Sequence, residues 1–159
     1  MRNNPERLQA LKNLAMLDTA PEVVYDDLTR LLAKAFDVPI AMVNLLDADR
    51  DWFKSCIGVS LAESPAETSF CEIFFHCDDD FLVIPDTTAD ARFADHPLVV
   101  NAPYIRFYVS ARLVFDGHTV GTLCIYDVKP KQVSQEQLEV LGAMRLAAME
   151  TLALRARGV

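Results

Sequence analysis

Ile40-Ala-Met-Val-Asn-Leu-Leu46 is followed by Asp47-Ala-Asp-Arg50 and then by Asp51-Trp-Phe-Lys-Ser-Cys-Ile57. The first run is almost continuously apolar, which suits a strand covered on both faces. The polar residues after it read as a turn, and Asp51 to Ile57 as the antiparallel return strand. In the return strand Phe53 and Ser55 alternate with Trp52 and Lys54, so the first pair shares one face and the second pair the other.

Working outward, Leu8, Leu11 and Leu14 recur at spacings of three, predicting a short amphipathic helix over residues 5–17. Thr19-Ala-Pro-Glu22 has the form of a capping box, with Pro21 tolerated in the first turn. The helix it opens runs to about Phe36 and places Val24, Leu28, Leu31, Leu32 and Ala35 in one apolar stripe. Beyond Ile57, residues 63–67 read as loop. Phe70, Ile73, Phe74 and Cys77 sit at helical spacing, predicting a helix over 69–77. Phe81 to Ile84 is a short strand stopped by Pro85, and 86–103 is mostly loop with one or two helical turns. Strand is predicted again at 105–109 and 112–115, bent or interrupted between. Asp116-Gly117 is the strongest hairpin signal in the chain, because glycine supplies the positive φ of a primed turn. His118 to Tyr126 is the partner strand. Ser134 with Gln137 forms a second capping box, with Val133 and Leu138 as its staple, and the last helix runs over 134–157. This order of elements gives a single α+β domain, residues 1–159, around an antiparallel sheet.

The final helix is apolar on more than one side. Val140, Leu141, Met144, Ala148 and Leu152 are suited to cover the sheet, leaving Leu146, Met149, Ala153 and Leu154 elsewhere. An element at the end of a sequence has few later elements to cover it, so a homodimer through this helix is expected.

Composition removes whole classes of function. Fifteen Lys+Arg against 23 Asp+Glu give a net charge of −8, a sign that repels phosphate backbones and argues against nucleic-acid binding. The five glycines are scattered, and neither GxGxxG nor GxxxxGK[ST] occurs. No apolar run reaches the ~20 residues of a membrane span, and Met1-Arg-Asn-Asn-Pro-Glu6 lacks the apolar stretch of a signal peptide. A cytoplasmic location without membrane contact is expected. The cysteines, Cys56, Cys71, Cys77 and Cys124, form no CxxC or zinc-type pair and read as buried thiols. His76, Cys77 and Asp78–Asp80 are adjacent residues, which rarely converge on one ion, so no metal is expected. Nucleophilic chemistry needs a Ser or Cys beside a base. The histidines, His76, His96 and His118, are dispersed, and nothing local brings His96 to Cys71. No catalytic residues are expected.

Several strings together carry a resemblance. They are Leu17-Asp-Thr-Ala-Pro-Glu22, Pro39-Ile-Ala-Met-Val-Asn-Leu-Leu-Asp47, Asp49-Arg-Asp-Trp-Phe-Lys-Ser55, Ser69-Phe-Cys71, Asp90-Ala-Arg-Phe-Ala-Asp-His-Pro97, Ile105-Arg-Phe-Tyr108 and Val120-Gly-Thr-Leu-Cys-Ile-Tyr-Asp127. In this order and spacing, over roughly Pro5 to Leu154, the chain resembles the GAF domains that precede histidine kinase or diguanylate cyclase modules in bacterial sensory proteins. The resemblance implies a PAS-like antiparallel sheet of five to six strands. It also implies N- and C-terminal helices on one face, a loop-covered small-molecule pocket on the other, and a downstream kinase or cyclase module as partner. Cys71-Glu-Ile-Phe-Phe75 is more apolar than the corresponding stretch of related sequences, so Phe74 and Phe75 are expected to narrow or fill that pocket. Bilin-binding members carry a Cys-His pair where this chain has Pro103-Tyr104, so no covalent tetrapyrrole is implied. The cysteines of GAF-type methionine sulfoxide reductases sit in dissimilar local sequence.

Candidate pocket residues follow from the same strings. Alternation puts Arg106, Tyr108 and Ser110 on one face, with Ile105, Phe107 and Val109 on the other. Phe53, Ser69, Cys71, Phe93 and Asp95 join the first set as wall or rim. Two readings of Arg106 stand: an orienting donor in a pocket floor, or a pin for the long loop through Asp95 or Asp86. The function expected is ligand sensing by a regulatory module. A structural dimerisation domain without ligand and a small thiol redox enzyme are the alternatives.

Overall fold

In the computed structural model β1 (Ile40–Leu46) is buried along its whole length, as its apolar run requires. Both of its edges are hydrogen-bonded, to β2 (Arg50–Ile57) on one side and to β6 (His118–Asp127) on the other. Beyond β6 lie β5 (Phe107–Phe115) and β4 (Phe81–Ile84), and beyond β2 lies β3 (Glu63–Pro65). The result is one six-stranded sheet of order β3-β2-β1-β6-β5-β4 with every pairing antiparallel, the α+β architecture the sequence predicts. The structure describes residues 1–158. Val159, the last residue of the single domain read from the sequence, lies outside them.

Strand alternation divides the apolar residues into two layers. On one face α1 (Pro5–Asn13), α2 (Val23–Phe36) and α4 (Gln135–Ala156) bury Leu11, Leu28, Leu32, Leu141 and Leu152 against Val43, Val109, Leu113 and Leu123. On the other face Phe70, Phe74, Phe93 and Val99 close over Met42, Tyr108, Cys124 and Tyr126. Those covering residues come from a 3-10 turn (Phe70–Phe75), the loop after β4 and the short α3 (Pro97–Val100). Asp116 and Gly117 take φ of 53° and 77° in the β5–β6 hairpin, both positive as a primed turn needs. Gly121 is required where β6 meets β1, because a Cβ there would stand 2.2 Å from the Asn44 carbonyl oxygen. Among the described residues no helix is long and apolar enough to cross a membrane.

Several local expectations are corrected. The first helix ends at Asn13 rather than Leu17, and Ala15 and Asp18 follow with positive φ. The Thr19–Glu22 box does not form. Glu22 occupies the cap position of α2 with no side-chain cap, and its carboxylate goes instead to Lys54 and Arg155. In α2, Leu28 and Leu32 are buried as predicted, but Tyr25 fills the core where Val24 was expected, and Val24 and Leu31 are exposed. Residues 70–75 are 3-10 rather than α, and 63–65 form an edge strand. β5 begins at Phe107 and is continuous to Phe115; the register shift opposite Leu113 and Val114 leaves Val120 of β6 as the extra residue. Ile105 precedes the strand and packs with Tyr108, not with Phe107. In α4, Val140 is exposed, whereas Met149 packs on the core.

Candidate functional site

The site begins with a bulge in β2. Ser55 stands opposite Val43 and Phe53 opposite Asn44, so Lys54 is an extra residue in the pairing. An extra residue reverses the alternation across it. Phe53 and Ser55, expected on one face, therefore part. Ser55 turns to the helices, where its hydroxyl donates to Asp26 and meets Thr29, while Phe53 packs on the opposite layer. Lys54 goes to the helix side with no side-chain exposure. Its Nζ donates to Thr19 Oγ1 and the Ala20 carbonyl and pairs with Glu22.

Opposite the helices, β1, β2, β6, the 66–75 turns and the chain before β5 enclose a cavity of about 190 Å3. Its walls are apolar, chiefly Ile40, Met42, Phe53, Phe70, Ile105 and Tyr126, and its polar side chains are Asn44, Asp51, Ser64, Thr68 and Ser69. Asp51 is 2% exposed. Its Oδ2 accepts from Ser69 Oγ, and its Oδ1 lies 3.0 Å from Arg2 Nη1 without the alignment of a hydrogen bond. Burial pushes the Asp51 carboxyl up, against the pull of Ser69 and Arg2. Asn44 Oδ1 is buried with no hydrogen-bond partner. The Asn44 Nδ2 is 3.9 Å from the sulfurs of both Cys71 and Cys124.

Of the residues singled out in the sequence, Phe53 and Ser69 line this cavity. Cys71 lies outside its lining, wholly buried, with Sγ 3.2 Å from Cys124 Sγ, 3.1 Å from Thr122 Oγ1 and 3.3 Å from Tyr108 Oη. Burial holds the Cys124 thiol well above its ordinary range. Tyr108 donates to Ser110 Oγ in the same buried cluster. Phe93 stacks on Phe70 at 5.4 Å and supports the wall without reaching the cavity. Asp95 is exposed. Arg106 forms no ion pair with Asp95 or Asp86. Its guanidinium donates to the carbonyls of Val99 and Ile105, pinning the loop through main-chain acceptors. Phe74 and Phe75 do not fill the cavity: Phe74 packs beneath Arg112, and Phe75 lies under Arg2 and Arg7.

His96 and Cys71 are not hydrogen-bonded. His96 stacks on Phe70 at 4.1 Å and accepts from the Leu98 amide through Nδ1, and burial holds its imidazole below the ordinary range. Cys56 and Cys77 are half-buried rather than buried. Among the described residues, no three His, Cys, Asp or Glu side chains are placed to share a metal ion.

The sequence reading missed Asn44, Asp51 and Tyr126. Asn44 had a signal, as the one polar side chain within the apolar 40–46 run.

A family model for the GAF domain matches residues 20–152. The chain belongs to the GAF domain family. This GAF domain is 31% identical over 144 residues to the cyclic di-GMP phosphodiesterase PA2567 of Pseudomonas aeruginosa, a match covering 87% of this chain and 24% of that protein. The chain thus spans about a quarter of that relative's length. Its fold matches the GAF domain of an Acinetobacter phosphoenolpyruvate-protein phosphotransferase with a TM-score of 0.69 at 14% identity, over 98% of this chain and 97% of that one. It also matches the free methionine-R-sulfoxide reductase of Neisseria meningitidis, with a TM-score of 0.68 at 17% identity over 94% and 90% of the two chains. At such identities these likenesses show the fold alone.

Proposed function

We propose that this GAF domain is a regulatory module that binds a small molecule in the cavity beside β1 and performs no chemistry of its own. The observation that carries the reading is the cavity itself, apolar-walled and lined by Asn44, a residue whose buried Oδ1 has no partner. A buried acceptor left unpaired costs about 1–3 kcal/mol. A ligand N–H or O–H would recover that loss, while its apolar body would take the place of water against Met42, Phe53 and Ile105. The volume of about 190 Å3 is below the roughly 300–1,000 Å3 of drug-sized sites, so a small metabolite is the expected class. The match to a quarter of a phosphodiesterase's length supports a module that serves a larger protein. The full enclosure of Cys71 and Cys124 supports a binding role over thiol catalysis. A further part of the reading is a homodimer through α4, supported by Leu146, 63% exposed at the middle of that helix.

Native mass spectrometry of freshly purified protein, followed by titration with a metabolite library, tests the cavity. A bound mass, or a hit, is expected in the wild type and absent from a folded Phe53→Trp variant whose larger ring occupies the space. No bound species in any titration, or one that survives Phe53→Trp unchanged, would remove the ligand-binding reading in favour of a purely structural domain.

A further inference from the structure

A second pocket, of about 170 Å3, lies at the hairpin end of the sheet. Its wall includes Asn4, Arg7, Phe75, Arg112, His118 and Thr119 and contains no carboxylate, in a chain whose net charge is −8. Arg7 is 3% exposed. Its Nε donates to the Arg2 carbonyl at 2.8 Å and its Nη1 to the Thr119 carbonyl at 3.1 Å, but Nη2 has no partner. The Phe75 ring lies 4.9 Å from the guanidinium carbon. Among the ion pairs of the described residues Arg7 takes part in none, whereas its neighbour Arg2 holds both Asp51 and Glu72.

A buried guanidinium is ordinarily paired with a carboxylate or phosphate, because carbonyl acceptors and an aromatic face do not supply a full counter-charge. Burial, followed by repulsion from Arg2, lowers Arg7 to about 10 against the more distant pull of Asp47, Glu72 and Asp51, none of which pairs with it, so it remains charged at neutral pH. Arg112 adds positive charge to the same wall. Its own donors are already taken by the carbonyls of Phe74, Cys77 and Asp79 and by Thr119 Oγ1, with Asp80 3.7 Å away. It therefore attracts an anion without being free to bind one in a fork. The unpaired donor is Arg7 Nη2, and the half-exposed His118 lines the same pocket.

We infer that this pocket is an oxyanion site, in which Arg7 receives a carboxylate or phosphate group of a small molecule and Arg112 and His118 flank it. The site is separate from the cavity beside β1, and the inference does not depend on that cavity binding anything.

The test is thermal unfolding and calorimetric titration of the whole chain with inorganic phosphate and, separately, acetate, against sodium chloride at matched ionic strength. A saturable rise in Tm with at least one oxyanion and none with chloride is expected. The stronger arm separates phosphate-bearing from carboxylate-bearing ligands. Arg7→Met, which keeps a long stem and removes the buried charge, is expected to fold and to lose the rise. His118→Ala, at a half-exposed position, is expected to weaken the apparent affinity roughly threefold. It serves as the readout should Arg7→Met fail to fold. No saturable rise with either oxyanion, an undiminished rise in Arg7→Met, or a His118→Ala titration superimposable on wild type would each overturn the inference.

Discussion

His96 shows how one side chain joins packing to titration. Its ring is stacked on Phe70, whose other neighbours include Phe93, Tyr108 and Tyr126, so the imidazole sits at the edge of the aromatic layer behind the cavity. Burial there disfavours the charged ring, and the folded-state value lies below the ordinary one, near 6.5. A histidine lowered in this way contributes stability that is complete above about pH 6.5 and is lost as pH falls through its folded value. The same ring accepts from the Leu98 amide, a bond asparagine is able to replace without titrating. The urea midpoint of the wild type is therefore expected to fall more steeply between pH 7 and pH 5 than that of His96→Asn. Parallel pH profiles would refute this account. The buried charges follow another logic. Lys54 is tolerated on the helix side because Glu22 and two oxygen acceptors meet its ammonium group, and truncating Glu22 leaves a desolvated charge without its carboxylate.

Among the elements, α4 shows local chemistry surviving in the fold. Ser134 accepts from the Gln137 amide and Gln137 returns the bond to the Ser134 amide, as the sequence predicts. Both residues are near the surface, and the one further bond of Gln137, from Nε2 to the Ala35 carbonyl, leaves its Oε1 free for the cap. Ser134→Ala is expected to lower stability by about 1 kcal/mol, read as a shift in denaturant midpoint at constant slope. At the start of α2 an equally good local pattern is overridden. Thr19 and Glu22 are drawn to Lys54, and Glu22 also to Arg155. Two cations contacting one carboxylate outweigh a cap whose worth is about 1 kcal/mol. The β2 bulge is a similar case. It is set by pairing with β1, and it decides which of Phe53 and Ser55 meets the cavity.

In the whole molecule, the sheet separates two layers of different character. The helix side is an aliphatic core shared by α1, α2 and α4, and the loop side is aromatic and contains the cavity. Leu146 and Leu31 remain exposed on the outer helices. If α4 joins two copies, Leu146→Glu places like charges in the seam and is expected to give the monomer mass in light scattering at micromolar concentration, where the wild type gives the dimer mass. A monomeric wild type would remove the dimer reading.

By itself the amino-acid sequence determined the order of elements apart from the β3 edge strand and the 3-10 turn, the antiparallel α+β class, the Asp116-Gly117 hairpin, the start of α4 and, through strings spread along the chain, the family. The elements rest on periodicity and turn chemistry, which are read within a few residues, and the family rests on the order of motifs along the chain. Phe53 and Ser69 were also legible as cavity residues. Only the tertiary structure decided that Asn44 and Asp51 supply its polar groups, that Tyr108 and Ser110 lie in a sealed cluster with Cys71, and that Arg106 spends its donors on carbonyls. The physical reason is that an extra residue in β2, the delayed start of β5 and the partner of each buried charge are set by contacts between segments far apart in the chain.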